Sequence, residues 1–313
     1  MDIFEEKNIK PMLIGEMQEA FDSPDYIFGL KLDGERCIAY LDKDGTELRN
    51  KRNAKMLTKV PELSAIHKSI NCRCILDGEL IVVKDGKPDF FEIQRRSLMS
   101  NTFKIQLASS KLPASFTAFD ILYYKDHEVI DLPLMQRKKL LEKTINENER
   151  IAISRYIEAR GIDFYKLAEQ NELEGIVAKR KDSRYYFDKR TKNWIKIKNL
   201  QDDDFVVCGY ILKDKGVISI VLGQYRDEEI LYKGHATLGV STADFKRIKS
   251  VLKLHTAPFS ELPSGNDAAV WITPSLVCTV KHMMRTASGS IRQPVFKGLR
   301  DDKAPSECMD TMN

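Results

Sequence analysis

Hydrophobic and polar residues alternate with a period of two along much of the first part of the chain, which is the pattern of β-strands with one buried face. The strands predicted in this way are residues 26–32, 37–41, 74–83, 115–124, 175–179 and 194–198. Residues 133–146 instead have a helical period that places Leu134, Leu141 and Ile145 on one side, and residues 164–171 predict a shorter helix. The pattern therefore predicts a mixed antiparallel α+β domain.

A different pattern begins after Leu200. The acidic segment QDDD predicts a break, and the short apolar runs FVVCGYIL, VISIVLGQY and EEILYKGHA follow it. A helix is predicted at 241–254, capped by Ser241 or Thr242, with further strands at 269–271 and 276–282. This spacing predicts a five-stranded barrel of the OB type, a fold that often binds nucleic acid. The predicted domains are residues 1–200 and 201–303, followed by a flexible tail at 304–313.

Composition places the chain among ordinary globular proteins, with 42% hydrophobic and 31% charged residues. The net charge of +4 permits nucleic-acid binding without requiring it. The six cysteines are scattered, and even Cys72 and Cys74 lack the usual spacing of zinc ligands, so reduced thiols are expected. The sequence has neither an apolar run long enough to span a membrane nor a secretory signal at its beginning, which predicts a cytoplasmic location.

The segment GLKLDGERC places an ammonium group within a predicted strand. Alternation predicts that Leu30 and Leu32 face the core, with Lys31 and Asp33 on the opposite face and a turn at Gly34. Taken alone, this pattern favours a surface lysine on a solvated face of the sheet.

Further charged segments change that interpretation. LDGEL places Asp77 and Glu79 on one face of a strand, and NWIKIK places Lys196 and Lys198 on one face. Two such ammonium groups repel each other unless an anion binds there. Similar charged positions occur in FTAFDIL, LEGIVAKR and PVFKGLRDDK. Each segment alone also fits exposed acids, an edge strand protected by lysines, or a solvated tail.

In this order, the segments resemble the motifs of the covalent nucleotidyltransferase superfamily and, within it, of the ATP-dependent DNA ligases. KLDGER resembles the nucleophile motif KxDGxR, and KRN at residues 51–53, LDGEL, FDIL, EGIVAK and WIKIK resemble the motifs that follow it. IRQPVFKGLRDDK resembles the C-terminal barrel motif of bacterial ligases of the end-joining type. The resemblance covers nearly the whole chain and indicates a minimal two-domain ligase, similar to the ligase domain of the end-joining enzymes.

The resemblance implies an α+β fold: an ATP-grasp-like nucleotidyltransferase domain of antiparallel sheets with helices, then an OB-fold β-barrel. It also implies three steps, in which Lys31 attacks the α-phosphorus of ATP, AMP passes from the lysine to the 5′-phosphate of a nick, and the 3′-hydroxyl displaces AMP. A free lysine, with a pKa of about 10.4, is mostly protonated and needs nearby cations, a metal or desolvation to become nucleophilic.

Site residues follow from the resemblance, motif by motif. The catalytic residues are then Lys31, Asp33, Lys196, Lys198, Arg300 and Lys303. The nucleotide-binding residues are Leu30 through its backbone, Lys31, Arg36, Arg52, Glu79, Phe119, Glu174, Lys196 and Lys198. Phe119 would stack on adenine; a core aromatic is the alternative. The implied metal is Mg²⁺ or Mn²⁺, with Asp33, Glu79 and Glu174 as ligands.

One position departs from the family pattern. Many relatives have a glutamate two residues before the nucleophile, where this chain has Gly29. A glycine offers no side chain to the adenine amino group, so the mode of base recognition stays open.

The implied partner is nicked duplex DNA, bound by a monomer without the large N-terminal DNA-binding domain of bigger ligases; an unidentified end-joining or replication protein is a further candidate. The candidates for phosphate contact are the basic stretches at 49–59, 179–192 and 285–297 and the group Arg95, Arg96 and Lys104. The alternative functions are an RNA ligase or mRNA capping guanylyltransferase, and a non-catalytic nucleic-acid-binding protein.

Overall fold

The structure is a computed structural model that describes residues 2–84, 86–213, 216–285 and 290–310, with the side chains of Met284 and Arg285 left out. The chain divides into two compact units, Met1–Lys198 and Asn199–Asn313. Each unit is described by itself.

The first unit combines twelve strands with five α-helices and two short 3₁₀-helices among its described residues. The strands are β1 (Leu13–Met17), β2 (Ser23–Leu30), β3 (Glu35–Leu41), β4 (Thr46–Asn50), β5 (Cys74–Lys84), β6 (Lys87–Pro88), β7 (Ala114–Tyr124), β8 (His127–Glu128), β9 (Ile151–Ile153), β10 (Tyr156–Ala159), β11 (Gly175–Arg180) and β12 (Arg190–Lys198). The α-helices are α1 (Ile3–Glu6), α2 (Phe90–Leu98), α3 (Thr102–Lys111), α4 (Leu134–Thr144) and α5 (Gly161–Gln170).

Two sheets form the framework of the first unit. One has the order β1-β12-β11-β2-β10, and the other has the order β4-β3-β5-β7-β8, with β6 paired to β5 and β9 to β7. Alternation decides which residues lie between the sheets: Trp194 of β12 packs with Tyr40 of β3 and Leu122 of β7. The neighbouring residues Ile195 and Ile197 face the other way, into a separate core cluster.

The second unit is a five-stranded antiparallel sheet with the order β15-β14-β13-β16-β17. Its elements are β13 (Gln201–Leu212), β14 (Ile218–Arg226), β15 (Glu229–Ala236), α6 (Thr242–Ser250), β16 (Ala269–Arg285) and β17 (Ile291–Arg300). The side chain of Ser241 accepts a hydrogen bond from the backbone N–H of Asp244, so Ser241 is the N-cap of α6, one of the two predicted caps. None of the described helices is long and apolar enough to cross a membrane.

Several sequence predictions differ from the structure. Helices α2 and α3 were missed, although their N-caps were available signals: the side chains of Asp89 and Asn101 accept the backbone N–H groups of Glu92 and Lys104. The acidic segment QDDD, predicted as a break, forms the start of β13. The two strands predicted at 269–271 and 276–282 are one strand, β16. The two strands β13 and β16 pair with each other, and this pairing keeps QDDD and the residues between 271 and 276 in strands although their local sequence predicts an interruption.

The predicted flexible tail is attached to the second unit over residues 304–310. The backbone N–H of Asp310 donates to the carbonyl oxygen of Tyr225 at 2.7 Å, and Cys308 is buried. Residues 311–313 lie outside the described residues. Tertiary contacts, not local composition, order this segment.

Candidate active site

Lys31 is the first residue after β2, not a residue within the strand as predicted. Its backbone N–H donates to the carbonyl oxygen of Gly175 at 2.9 Å, which holds the turn against β11. The predicted core role of Leu30 is wrong, because this side chain is 36% exposed, and Leu32 is only half-buried. The anchor of the strand is Phe28, which is fully buried.

Three charged side chains meet at this end of the first sheet. The Nζ atom of Lys31 lies 2.7 Å from Oε1 of Glu174, and the Nζ atom of Lys198 lies 3.7 Å from the same oxygen. The register explains the meeting, because Gly175, which follows Glu174, pairs with Lys198 across β11 and β12. One nearly buried carboxylate therefore holds two ammonium groups that come from distant segments.

Lys198 has a pKa below its ordinary value. Burial lowers the pKa most, and the charges of Lys31 and Lys196 lower it further, against the opposing charges of Glu174 and Asp33. The positive charges of Lys31 and Lys196 therefore act on Lys198, in line with the predicted repulsion between Lys196 and Lys198. An anionic ligand placed between them would relieve this repulsion.

The facing sheet contributes a second charged group. Arg36 of β3 donates from Nε and Nη2 to the two oxygens of Asp77, both at 2.5 Å, and the hydroxyl of Tyr185 donates to the same carboxylate at 2.6 Å. Burial raises the pKa of Glu79 to about 8, against the opposing charges of Arg36 and Lys31. Asp77 was not among the predicted site residues, yet it fixes the orientation of Arg36.

Phe119 lies in a cluster of aromatic and cationic side chains between the two sheets. Its ring meets that of Trp194 edge to face at 6.0 Å, and the guanidinium carbon of Arg36 lies 4.4 Å from its centroid. The Nζ atom of Lys179 lies 4.1 Å from the Phe119 centroid and 3.8 Å from that of Trp194. The surroundings combine features of a core aromatic and of a ligand platform.

Lys179 and Trp194 lie in this region but were not among the predicted site residues. Lys179 is buried, and burial followed by the charge of Lys138 holds its pKa well below its usual range. The indole Nε1–H of Trp194 is buried and has no acceptor within the part of the chain that the structure describes. Strand alternation was the available signal, because Trp194 lies on the face of β12 that bears Lys196.

Arg52 is exposed in the turn after β4, where the side chain of Asn50 accepts its backbone N–H at 3.0 Å. Asp33 is half-buried and acts on Lys198 by its charge. The exposed side chain of Arg52 is therefore accessible to a bound substrate.

The carboxylates of the site fit a loosely held Mg²⁺ better than a protein cage. Among residues 2–84, 86–213, 216–285 and 290–310, no group of three His, Cys, Asp or Glu residues is arranged to hold a metal ion. Glu174 is engaged by two lysines, and Glu79 has the raised pKa given above. This donor set suits an ion that keeps most of its waters and binds one carboxylate together with phosphate oxygens.

Arg300 and Lys303 meet at one carboxylate of the second unit. Nη1 of Arg300 lies 2.7 Å and Nζ of Lys303 lies 2.8 Å from the same oxygen, Oδ2 of Asp204. Asp302 additionally accepts from Nε and Nη2 of Arg300 at 3.0 and 2.6 Å. Asp204 is the last residue of the segment QDDD, for which the sequence predicted only an acidic break.

The predicted phosphate-contacting stretches have different environments. Arg96 is buried and pairs with Glu62, so the prediction that it contacts phosphate is wrong. Arg95 and Lys104 are exposed, although Arg95 pairs with Glu92 at 2.5 Å. Part of the stretch 285–297 lies outside the described residues.

An α+β unit followed by a five-stranded β-unit is the architecture of a nucleotidyltransferase domain joined to an OB-fold domain. Residues 11–198 match the family model of the ATP dependent DNA ligase domain, and residues 213–303 match that of the ATP dependent DNA ligase C terminal region. The chain therefore belongs to the ATP-dependent DNA ligases. This confirms the predicted fold class and the predicted family.

Relatives are found among both curated sequences and solved structures. The chain is 28% identical over 317 residues to the multifunctional non-homologous end joining DNA repair protein LigD of Mycobacterium tuberculosis, covering 97% of this chain and 40% of that protein. It is 28% identical to the SPbeta prophage-derived DNA ligase-like protein LigB of Bacillus subtilis, covering 93% of this chain and 99% of that protein. The chain thus spans less than half the length of the LigD relatives.

A structure of mycobacterial DNA ligase D in complex with ATP matches 97% of this chain and 99% of that chain, with 26% identity and a TM-score of 0.56. A structure of a Lig E DNA ligase matches 92% of this chain with 19% identity and a TM-score of 0.59, which supports the fold alone. These relatives give no support to the alternative functions.

Proposed function

We propose that this protein seals nicks in duplex DNA with ATP, through an AMP group covalently bound to Lys31. The observation that carries the proposal is the group formed by Lys31, Glu174 and Lys198, together with the family match. The end-joining protein and the prophage ligase-like protein named above are both relatives, so the pathway is left open between repair, end joining and replication.

In the first step, the deprotonated amine of Lys31 attacks the α-phosphorus of ATP. The Nζ–P bond forms and Nζ releases one proton to solvent, while the bond from phosphorus to the bridging oxygen breaks and pyrophosphate leaves with the electron pair. Glu174 orients the amine through the 2.7 Å contact. Lys196 and Lys198 act as cations beside the α-phosphate, and their charge stabilises the negative charge of the transition state.

Mg²⁺ or Mn²⁺, when bound, neutralises phosphate charge and polarises the reacting phosphorus. Asp33, Glu79 and Glu174 are the carboxylates that would hold it, one or two at a time. Glu79 and Glu174 would otherwise accept hydrogen bonds from the ribose hydroxyls. Lys303 and Arg300 would contact the leaving pyrophosphate.

For the base, we infer stacking on Phe119, with Lys179 and the indole N–H of Trp194 close by. These buried donors, with the backbone near Leu30, suit the polar edge of adenine, and they support base recognition without a glutamate at Gly29. Arg36, fixed by Asp77, and Arg52 would bind the sugar or phosphate of AMP and the 5′-phosphate of the nick.

In the second step, an oxygen of the DNA 5′-phosphate attacks the phosphorus of lysyl-AMP, the Nζ–P bond breaks, and Lys31 takes up a proton and leaves as the amine. In the third, the 3′-hydroxyl loses its proton and attacks the phosphorus of the activated 5′-phosphate, so that the phosphodiester forms, the bond to the bridging oxygen breaks and AMP leaves with the electron pair. Exposed basic residues such as Lys104 supply phosphate contacts. We propose that the protein acts as a monomer in the cytoplasm, in keeping with its six free thiols.

The test is covalent labelling followed by sealing. With labelled ATP and Mg²⁺, we expect a protein adenylate, and with a nicked DNA duplex we expect a sealed strand and free AMP. Lys31→Ala should give neither product. Lys87→Ala is its matched control and should give both, because Lys87 also pairs with a glutamate, Glu172, at 2.5 Å but is exposed. Predominant labelling by GTP, preference for nicked RNA, or the absence of any adduct would overturn the proposal.

A further inference from the structure

A carboxylate at the start of the second unit joins two cations from its end. Asp204 lies in β13, Arg300 is the last residue of β17, and Lys303 follows three positions later. The two cationic nitrogens touch a single oxygen, Oδ2 of Asp204, at 2.7 and 2.8 Å. They are therefore held close together in spite of their mutual repulsion.

The carboxylate is itself held in place. The hydroxyl of Thr279 donates to its other oxygen, Oδ1, at 2.7 Å, and Thr279 is the register partner of Asp204 across β13 and β16. Burial acts to raise the pKa of Asp204, but hydrogen bonds from Lys303 and Thr279 and the charges of both cations lower it below its ordinary value. Asp204 is therefore ionised at neutral pH, and its orientation is determined by the strand pairing.

We propose that Asp204 is a positioning residue for the first chemical step: it holds Arg300 and Lys303 as a pair that receives the pyrophosphate leaving group. The inference rests on the proposed function. When the bond from the α-phosphorus to the bridging oxygen breaks, the electron pair goes to pyrophosphate, and two adjacent cations stabilise that developing charge. Two long, flexible side chains provide this only when their positions are fixed beforehand, which is what Asp204 contributes.

The role is specific to one step. Pyrophosphate leaves when Lys31 is adenylated and takes no part in the joining of an already adenylated nick. Loss of Asp204 is therefore expected to slow adenylation and to spare the final step. A carboxylate needed only for the stability of the second unit would affect both steps alike.

The second unit offers a matched control of the same composition. Asp310 pairs with Arg226 at 2.6 Å and with Lys233 at 2.8 Å, so it also holds one arginine and one lysine. Its side chain is completely buried, and its cations lie outside the motif that resembles the family's barrel motif. Asp310→Asn is expected to lower the melting temperature without separating the two steps.

The experiment uses the full chain and measures two rates. Single-turnover adenylation with labelled ATP gives the rate constant and the ATP concentration for half-maximal rate, and ATP-free enzyme with a pre-adenylated nicked duplex gives the rate of the last step. For Asp204→Asn we expect adenylation to slow by about 10- to 100-fold, with little change in the half-maximal ATP concentration and unchanged sealing of the pre-adenylated nick. Asp204→Glu keeps the charge and should recover part of the loss.

Thr279→Val provides a milder second variant, because it removes the hydrogen bond that orients Asp204 and keeps the charge. We expect the same selective slowing of adenylation, but smaller. Equal loss of both steps, faster adenylation by Asp204→Asn, or no change in either variant would overturn the inference. If the wild-type protein forms no adenylate, the proposed function fails and the inference fails with it, whereas a normal wild-type adenylate with an unaffected Asp204→Asn variant refutes the inference alone.

Discussion

Two buried groups of acids and cations in the first unit are alike in composition and differ in how fully the protein satisfies them. Asp120 and Arg137 are both 0% exposed, and they bond through both carboxylate oxygens at 2.8 and 2.9 Å. Arg137 also donates from Nη1 to the carbonyl oxygens of Leu132 and Ser183 at 2.5 and 2.9 Å. This group is closed: its charges and donors are matched within the fold.

The group around Glu174 is open by comparison. Its carboxylate oxygen is shared by two ammonium groups at 2.7 and 3.7 Å, and the side chain of Lys31 remains 21% exposed. Lys31 can therefore accept a covalent group without disrupting a core. The pair of Asp120 and Arg137 therefore stabilises the fold, whereas the group around Glu174 is suited to bind phosphate.

The largest effect is expected from Lys31→Ala, which should abolish adenylate formation with labelled ATP because the substitution removes the proposed attacking amine. Lys31→Arg should fail equally, since a guanidinium stays protonated in proteins. The melting temperature should change little, because Lys31 lies in a turn outside the core. Covalent labelling that survives either substitution would assign the nucleophile to another residue.

Next in size is the effect of Arg137→Met on stability. This change leaves the carboxylate of Asp120 buried without its partner, which should destabilise the protein by about 3–5 kcal/mol. Urea unfolding measures the loss, and the matched control is Arg160→Met, whose exposed pair with Asp163 should contribute almost nothing. Equal unfolding free energies for the two variants would mean that the closed group is not structural.

Lys198→Met tests the open group without removing the nucleophile. The variant keeps a long side chain but loses the charge beside the α-phosphate, so adenylation should slow by about 10²- to 10³-fold. The unfolding free energy should stay near that of the wild-type protein. Single-turnover labelling measures the rate, and a variant that is unfolded at the assay temperature, or equally fast, would contradict the separation of the two groups.

The smallest expected effect is the pH dependence of the closed group. Burial acts to raise the pKa of Asp120, but the charge and hydrogen bonds of Arg137 lower it below its ordinary value of 3.8. Because the pKa is lowered in the folded state, the stabilisation is fully present above the ordinary pKa of 3.8, which the unfolded chain has. It is lost as the pH falls from there through the folded pKa. The difference in unfolding free energy between the wild-type protein and Asp120→Asn should therefore be constant between pH 5 and pH 8 and shrink below about pH 4.

Urea unfolding of both proteins across this range gives the comparison. A difference that changes steadily between pH 5 and pH 8 would show that another titrating group controls the pair.

The rule that apolar residues of a strand face the core was sufficient for two long strands. Residues 74–83 and 115–124 were predicted almost as the structure has them, because both faces of these strands are largely buried and apolar residues run almost continuously through them. The same rule failed for Leu30, which lies at the end of β2, where the sheet no longer covers the side chain. It failed again at Asp204, because pairing with Thr279 keeps an acidic residue within a strand.

The sequence alone determined the class of this protein, since the order of its charged motifs is the order of one family, and the family models match the same residues. Tertiary structure decided which charges meet. Glu174 reaches Lys31 and Lys198 because three strands lie in register, and Asp77 fixes Arg36 across two neighbouring strands. Such meetings depend on strand order and register, which are properties of the folded sheet and leave no local pattern in the chain.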